Sequence, residues 1–475
     1  MTPDDVERAV ALAGLELPAG ADYEVLGGDP LLASPHHLGD GAAVARLLTG
    51  LAAAELWRVR TGRTQRVTVD AAHAAASLLS FAHVRYHDDT LRPTMDRAAA
   101  NARFVHLFAT RDGRHIQLHP SFGDAPQLLE ELGLRDDATR DDVAAAVAQR
   151  DAFELEAALI ARRMCGSVAL TKEEWAEHPQ GRAVAHLPVV SITRIGDAPV
   201  EPLPEGDRPL AGVRVLDLTR VLAGPTCAKT LAEHGADVLH VSAPGLERHG
   251  PFEVETGIGK RQTHLDLRDD TDRSRLDELV ATADVFSQGY RLGALADKGL
   301  SPELVAAARP GIVYVSENCY GHVGPWAERP GWEQLGQAAT GMSHREGGDG
   351  PPRLAPAAVN DYTTGFLAAY GAMVALARRA TEGGSWHVQV SLSQTSTWYQ
   401  RLGDDNDAGA ARPIDVTPFL DEMDTPHVGR ISYLRPAVTM SETPPRWDLP
   451  PSPLGAHEPV WLPLVRPRGS YTRVI

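Results

Sequence analysis

The stretch A-P-A-A-V-N-D-Y-T-T-G-F-L-A-A-Y-G-A-M-V-A-L-A-R-R-A-T-E-G-G-S-W-H-V-Q-V-S-L-S-Q-T-S-T-W-Y, Ala355 to Tyr399, organises the chain. Phe366, Leu367, Ala369, Tyr370, Met373 and Val374 recur at helical spacing, Gly383-Gly384 ends the run, and His387–Leu392 alternates as a strand. Asp361 therefore falls in the cap or first turn of a helix. A carboxylate there meets the positive end of the helix dipole, which favours its ionised form at neutral pH and suits a nucleophile. The same position suits an aspartate that only caps the helix, and this stretch alone leaves both readings standing.

The chain has 475 residues, enough for two or three domains, and its 43% hydrophobic and 23% charged content is that of a soluble globular protein. A net charge of −17 argues against nucleic acid and against an anionic membrane as partners, although a local basic patch can still hold a phosphate-bearing ligand. Cys165, Cys227 and Cys319 are odd in number and far apart. They fit neither a disulfide framework nor a zinc site, so no metal is expected and a reducing cytoplasm is. The opening M-T-P-D-D-V-E-R is acidic where a signal peptide is basic, and no apolar run reaches the ~20 residues of a membrane span.

In chain order, helical patterns are expected over Pro3–Ala13, Ala42–Arg60 and Ala71–Val84, with a strand at Arg66–Val69. Residues 1–84 form an N-terminal helical segment in this reading. Arg103–His119 reads as a β-hairpin turning at Asp112-Gly113, and helices near Ala125–Leu132, Arg140–Arg150 and Ala152–Met164 follow it. Thr171 and Glu174 have the spacing of a capping box. These elements make a small α+β domain, 85–196. The Pro-rich, acidic run D-A-P-V-E-P-L-P-E-G-D-R (Asp197–Arg208) supplies a linker, 197–208. Beyond it, strands at Val213–Leu218, Asp237–Val241, Val285–Ser287 and Ile312–Ser316 alternate with helices, which means a parallel sheet covered on both faces over 209–402. Residues 403–475 are rich in Pro, Gly and charge and read as an extended tail.

Two segments echo one another. R-L-L-T-G-L-A-A-A (Arg46–Ala54) aligns with D-Y-T-T-G-F-L-A-A (Asp361–Ala369), and R-V-T-V-D with H-V-Q-V-S. That alignment sets Arg46 opposite Asp361, so that the first copy lacks the carboxylate.

P-L-A-G-V-R-V-L-D-L-T-R-V-L-A-G-P (Pro209–Pro225), L-A-E-H-G-A-D-V-L-H-V (Leu231–Val241), G-K-R-Q-T-H-L-D-L (Gly259–Leu267), A-D-V-F-S-Q-G-Y-R-L-G (Ala283–Gly293), G-H-V-G-P-W-A-E-R-P-G-W-E (Gly321–Glu333), Q-A-A-T-G (Gln337–Gly341) and N-D-Y-T-T-G (Asn360–Gly365) occur in that order. Together they resemble the class III CoA-transferases, the CaiB/BaiF family that includes formyl-CoA transferase and carnitine CoA-transferase. The resemblance implies an α/β fold, a Rossmann-like parallel-sheet domain of the CoA-transferase family III type plus a smaller α+β domain, and it implies a homodimer. The order of parts departs from the family's and reads as a partly deleted tandem duplication.

The resemblance also implies the chemistry. Asp361 would attack an acyl-CoA thioester, giving a mixed anhydride and then an aspartyl-CoA thioester, with a small carboxylic acid as acceptor. Coenzyme A would be a substrate and no cofactor would be bound permanently. CoA would be held by the turn Val221, Leu222, Ala223, Gly224 and Pro225, by Lys260 and Arg261, and by Tyr290 and Arg291, since helix N-termini and cations hold phosphates. Ser242-Ala243, Gly257-Ile258 and Gly289 stand where the family carries CoA contacts, and Leu222 where formyl-CoA transferase has glutamine. Two alternatives stay open: a 2-methylacyl-CoA racemase, against which Trp332 stands where those enzymes carry the histidine base, and a non-catalytic paralogue.

Overall fold

The computed structural model describes residues 1–95, 101–121 and 124–463. The last twelve positions of the expected tail, 464–475, lie outside it. A seven-stranded sheet runs in the order Arg261–His264, Asp237–Ser242, Arg214–Asp217, Val285–Gln288, Val313–Asn318, Ser385–Ser391, Val190–Gly196. All pairs are parallel except the last. Its parallel strands are largely buried on both faces, as parallel strands covered by helices must be, while the edge strand Val190–Gly196 is only partly covered. The expected strands form, shifted by a residue or two at their ends. One assignment changes: Val190–Gly196, placed by sequence in the small domain, closes the edge of this sheet by pairing antiparallel with Ser385–Ser391.

The small domain has the expected hairpin, His106–Ala109 against His115–His119, with Gly113 at φ 77° in its turn. A third strand, Cys165–Val168, completes its sheet. Thr171 and Glu174 form the capping box with both reciprocal hydrogen bonds. The second apolar helix stops early, at Ser77, and a 3-10 turn over Ser80–His83 replaces the rest.

The internal echo has a structural counterpart, in a different register. Leu38–Thr61 and Val359–Glu382 are both helices of 24 residues. Each leads into a strand, Val67–Asp70 or Ser385–Ser391, whose last side chain caps the next helix: Asp70 accepts from the His73 N–H and Ser391 from the Gln394 N–H. Matched from their first residues, the two helices set Gly50 against Gly371. A Cβ on Gly50 would lie 2.5 Å from Val67 Cγ1 and 2.8 Å from Val438 Cγ1; on Gly371 it would lie 2.5 Å from Val388 Cγ1 and 2.7 Å from Val190 Cγ1. The same glycine is demanded twice by the same close packing of helix on sheet.

In this register the partner of Asp361 is Asp40, not Arg46. The first copy has kept its carboxylate. It begins at Leu38 rather than Ala42, which is why the sequence alignment slipped.

The copies also complete each other. Val190–Gly196, which follows the first copy, pads the second copy's sheet, and Val438–Met440 from the tail pads the first copy's sheet beside Val67–Asp70 and Tyr23–Leu26. The tail is therefore not simply extended. It also contributes a hairpin, Leu420–Thr425 with Gly429–Leu434, paired to Arg85–Tyr86. Arg46 lies buried between the copies, 2.6 Å from Glu233, with its guanidinium 4.6 Å over the Phe366 ring.

The helix Val359–Glu382 crosses Ala223–Glu233 at very close range. A Cβ on Gly365 would sit 2.4 Å from the Ala223 carbonyl oxygen and 2.6 Å from Thr226 Cβ. Gly365→Ala should therefore force the helices apart and cost about 1–3 kcal/mol of stability, read as a lowered thermal midpoint; an unchanged midpoint would show that the crossing yields freely.

Candidate active site

Asp361 is the third residue of its helix, in the first turn. Its own carboxylate is not the cap. Glu333, at the start of the helix Glu333–Thr340, supplies that function: Glu333 Oε1 accepts from the Asn360 N–H at 3.1 Å, and Oε2 from the Asp361 N–H at 2.5 Å. Gln337 holds Glu333 in place through a 2.6 Å bond to Oε1, and Gln337 is itself fixed by the Ala355 N–H at 2.8 Å. Among the described residues the Asp361 carboxylate takes no hydrogen bond. It lines a cavity of about 520 Å³ instead.

The first copy shows the contrast. There Asp29 does what Glu333 does, accepting from the Gly39 N–H at 3.2 Å and the Asp40 N–H at 2.9 Å. Asp40, however, turns back and accepts from the Asp29 N–H at 3.0 Å. One aspartate is tied into a reciprocal cap, and the other faces open space.

The cavity is walled by two regions that are distant in sequence. The second copy contributes Arg220, Val221, Leu222, Ala223, Tyr290 and Arg291, together with Glu317, Cys319, Trp332 and Leu392. The small domain contributes Ser121, Asp124, Gln127, Arg162 and Arg163. The turn before the helix Ala223–Glu233 is strained: Val221, a β-branched residue, has φ 71°, a conformation costing about 1–3 kcal/mol. It lies at the C-terminal ends of the parallel strands, where open α/β sheets present their ligand sites.

The structure thus gathers Asp361, Val221, Leu222, Ala223, Tyr290 and Arg291 around one cavity. Gly224 and Pro225 continue the turn into the helix behind it. Lys260 and Arg261 are elsewhere: Lys260 is buried 2.9 Å from Asp217, and Arg261 is held 2.8 Å from Asp237. Pro225 and Lys260 face a much smaller pocket of about 40 Å³ on the far side of the turn. Sequence reading missed Glu333 as the clamp, Glu317, and the small-domain arginines. Only the fold brings 162–163 to the cavity that Asp361 lines.

The electrostatics reverse one expectation. Burial, then the nearby carboxyls of Glu333 and Glu317, push the Asp361 carboxyl well above the usual range, outweighing the helix dipole. Burial lifts Glu333 to about 7 against the pull of its three N–H donors, and lifts Glu317 to about 8. An ordinary aspartate is fully ionised by about pH 6. Here the ionised Asp361 carboxylate accumulates only at higher pH than that. The kcat/KM of any reaction that needs the Asp361 carboxylate should therefore keep rising above the pH at which an ordinary aspartate is fully ionised; a profile already flat from about pH 6 would contradict this environment.

The model of CoA-transferase family III matches residues 25–201 and 210–404. The chain belongs to CoA-transferase family III. It is 32% identical over 438 residues to an acyl-CoA transferase of Gibberella moniliformis, covering 82% of this chain and 77% of that one. It is 32% identical over 385 residues to the acetyl-coenzyme A transferase nodX of Hypoxylon pulicicidum, covering 71% and 64%. Mouse succinyl-CoA:glutarate CoA-transferase is 36% identical over 199 residues, 39% of this chain and 45% of that one. A solved CAIB/BAIF family protein from Brucella suis is 27% identical over 47% of this chain and 65% of its own, with a TM-score of 0.37. The matches thus range from most of a relative's length to about half of it. In this family III chain no helix among the described residues is long and apolar enough to cross a membrane.

Proposed function

We propose that this family III chain moves CoA from an acyl-CoA to a small carboxylic acid, with Asp361 as the covalent relay. The observation that carries the reading is the Asp361 carboxyl, without a hydrogen bond among the described residues and facing a cavity that arginines approach from both walls. A pantetheine arm reaches the aspartate between the strained turn at Val221 and the apolar surface of Trp332 and Leu392. Arg162, Arg163, Arg220 and Arg291 are placed for the phosphates of CoA. The Asp361 carboxylate adds to the thioester carbonyl, and CoA leaves as the thiolate. The thiolate then attacks the aspartyl carbonyl of the anhydride, frees the first acid, and leaves an aspartyl-CoA thioester for the acceptor.

A racemase needs a base opposite Asp361, and among the described residues no histidine lines this cavity. His119 stacks on Trp332 with ring centroids 5.4 Å apart, but it stands outside the lining and burial lowers it to about 4.

The test is to offer acetyl-CoA or succinyl-CoA with a panel of mono- and dicarboxylic acids and to follow new thioesters by mass spectrometry. New acyl-CoA species are expected. Solvent deuterium entering a 2-methylacyl-CoA, with no transfer to any acid, would replace this reading by the racemase.

A further inference from the structure

The carboxyl of Glu317 lines the cavity with Asp361, and the scheme above leaves it, like the more distant Asp124 of the small domain, without a task. It projects from the C-terminal end of the strand Val313–Asn318, onto the same cavity as Asp361. Two glycines clamp it. A Cβ on Gly289 would lie 2.5 Å from Glu317 Oε1, and one on Gly224 would lie 2.7 Å from that same atom. The Gly224 N–H donates to the carboxyl, while Oε2 is buried with no hydrogen-bond partner. A buried polar atom left unpaired at a ligand cavity costs free energy unless a ligand or a proton completes it.

Resting on the transferase reading, we propose that Glu317 is the proton exchanger for the CoA sulfur. As Asp361 oxygen bonds to the acyl carbon, the carbon–sulfur bond breaks and sulfur departs with the electron pair. The neutral Glu317 carboxyl gives its proton to that thiolate, leaving CoA as the thiol and Glu317 as carboxylate. In the next step Glu317 takes the proton back as sulfur attacks the aspartyl carbonyl. A new carbon–sulfur bond forms, the anhydride carbon–oxygen bond breaks, and the first acid leaves as its carboxylate. The site thereby holds CoA as a thiol between two chemical steps without losing or gaining a proton.

The surroundings favour this task. Burial and the neighbouring Asp217 carboxylate raise Glu317 to about 8, against the pull of Lys260 and the Gly224 N–H. Thiols ionise near 8.5, so proton exchange between the two groups is close to balanced in either direction. Other ionisable groups around it include Asp361 and Glu333 from the helix side, Cys227 on Ala223–Glu233, Cys319, Arg220, Tyr290 and Arg291 along the near wall, and Asp124, Arg162 and Arg163 across the cavity.

The experiment measures kcat and KM against pH for wild type, Glu317→Gln and Gly289→Ala, using acetyl-CoA and succinyl-CoA with the acids that accept from them. Glu317→Gln keeps shape and hydrogen bonding but cannot exchange a proton. It should lower kcat by about 10²-fold with KM within a few-fold, and the ionisation near pH 8 should vanish from its kcat profile. Gly289→Ala pushes the carboxyl off its seat and should slow turnover even if the Gln variant does not fold. A Gln variant with kcat within a few-fold of wild type and an unaltered pH profile would overturn the role of Glu317. So would a variant that is merely less stable, with that profile intact. A wild type that forms no adduct on Asp361 with either thioester would instead remove the transferase reading on which the role rests.

Discussion

Asp361→Asn should lower kcat by at least about 10³-fold, roughly 4 kcal/mol of barrier, while the protein folds as before. The amide matches the carboxyl in size but cannot open a thioester to give an anhydride. The fold should not suffer, because Glu333 and not Asp361 caps the helix. Stability should even rise toward alkaline pH. A carboxyl whose folded pKa is raised stabilises the folded state at low pH and destabilises it progressively as pH climbs from the unfolded value toward the folded one. Removing that titration removes the loss. Denaturant unfolding at pH 5 and pH 8 alongside turnover checks both halves; a variant that keeps more than a few per cent of wild-type kcat would refute the assignment.

Arg46→Ala should cost about 3–5 kcal/mol of stability, the penalty for stranding the buried partner of an ion pair. Its guanidinium is 2% exposed and 2.6 Å from Glu233, on which His234 also closes to 3.4 Å. Lys229 and Arg208 also pull on Glu233, but their side chains are paired with Glu255 and Asp448, and burial already pushes Glu233 upward and His234 well down. The folded fraction should nevertheless turn over normally, because Arg46 does not line the cavity. An unchanged unfolding midpoint would show that Glu233 finds another cation or is simply protonated. A loss of kcat in folded protein would make the first copy part of the chemistry.

Arg46 also marks where sequence reading ran out. The echo between the halves was legible because Ala-rich helices followed by short alternating strands leave a periodic trace. Its register was not, since the Pro- and His-rich loop before Leu38 hides the first turn of that helix. Asp40 was passed over in consequence, and an unrelated arginine took its place. The hairpin at Asp112-Gly113 and the alternating strands were readable because local turn chemistry and period-two burial determine them. Val438–Met440 and Val190–Gly196 were misplaced for the opposite reason: each is a short edge strand whose partner lies far away in the chain.

The candidate site divides along the same line. Asp361, Val221–Ala223, Tyr290 and Arg291 sit in ordered motifs whose neighbours identify them, and the fold gathers them at one cavity. Lys260 and Arg261 stand in an equally clear motif, yet each is occupied by an aspartate, the buried Asp217 or the half-buried Asp237, that nothing local announces. Glu317 carries no motif signal, and Glu333, the last residue of the motif Gly321–Glu333, gives no sign there of its capping task. Their importance comes from the groups opposite them, two helix N–H donors in one case and two glycines in the other.

The central claim, that an activated acyl group passes through Asp361, is tested most directly by trapping it. Wild-type protein mixed with acetyl-CoA or succinyl-CoA should be inactivated by hydroxylamine, with a hydroxamate on the peptide that contains Asp361, or by borohydride, with that side chain reduced to an alcohol. Both marks should require the acyl-CoA and be absent from Asp361→Asn. Transfer of CoA that proceeds normally while the Asp361 peptide remains unmodified under either reagent would contradict the account.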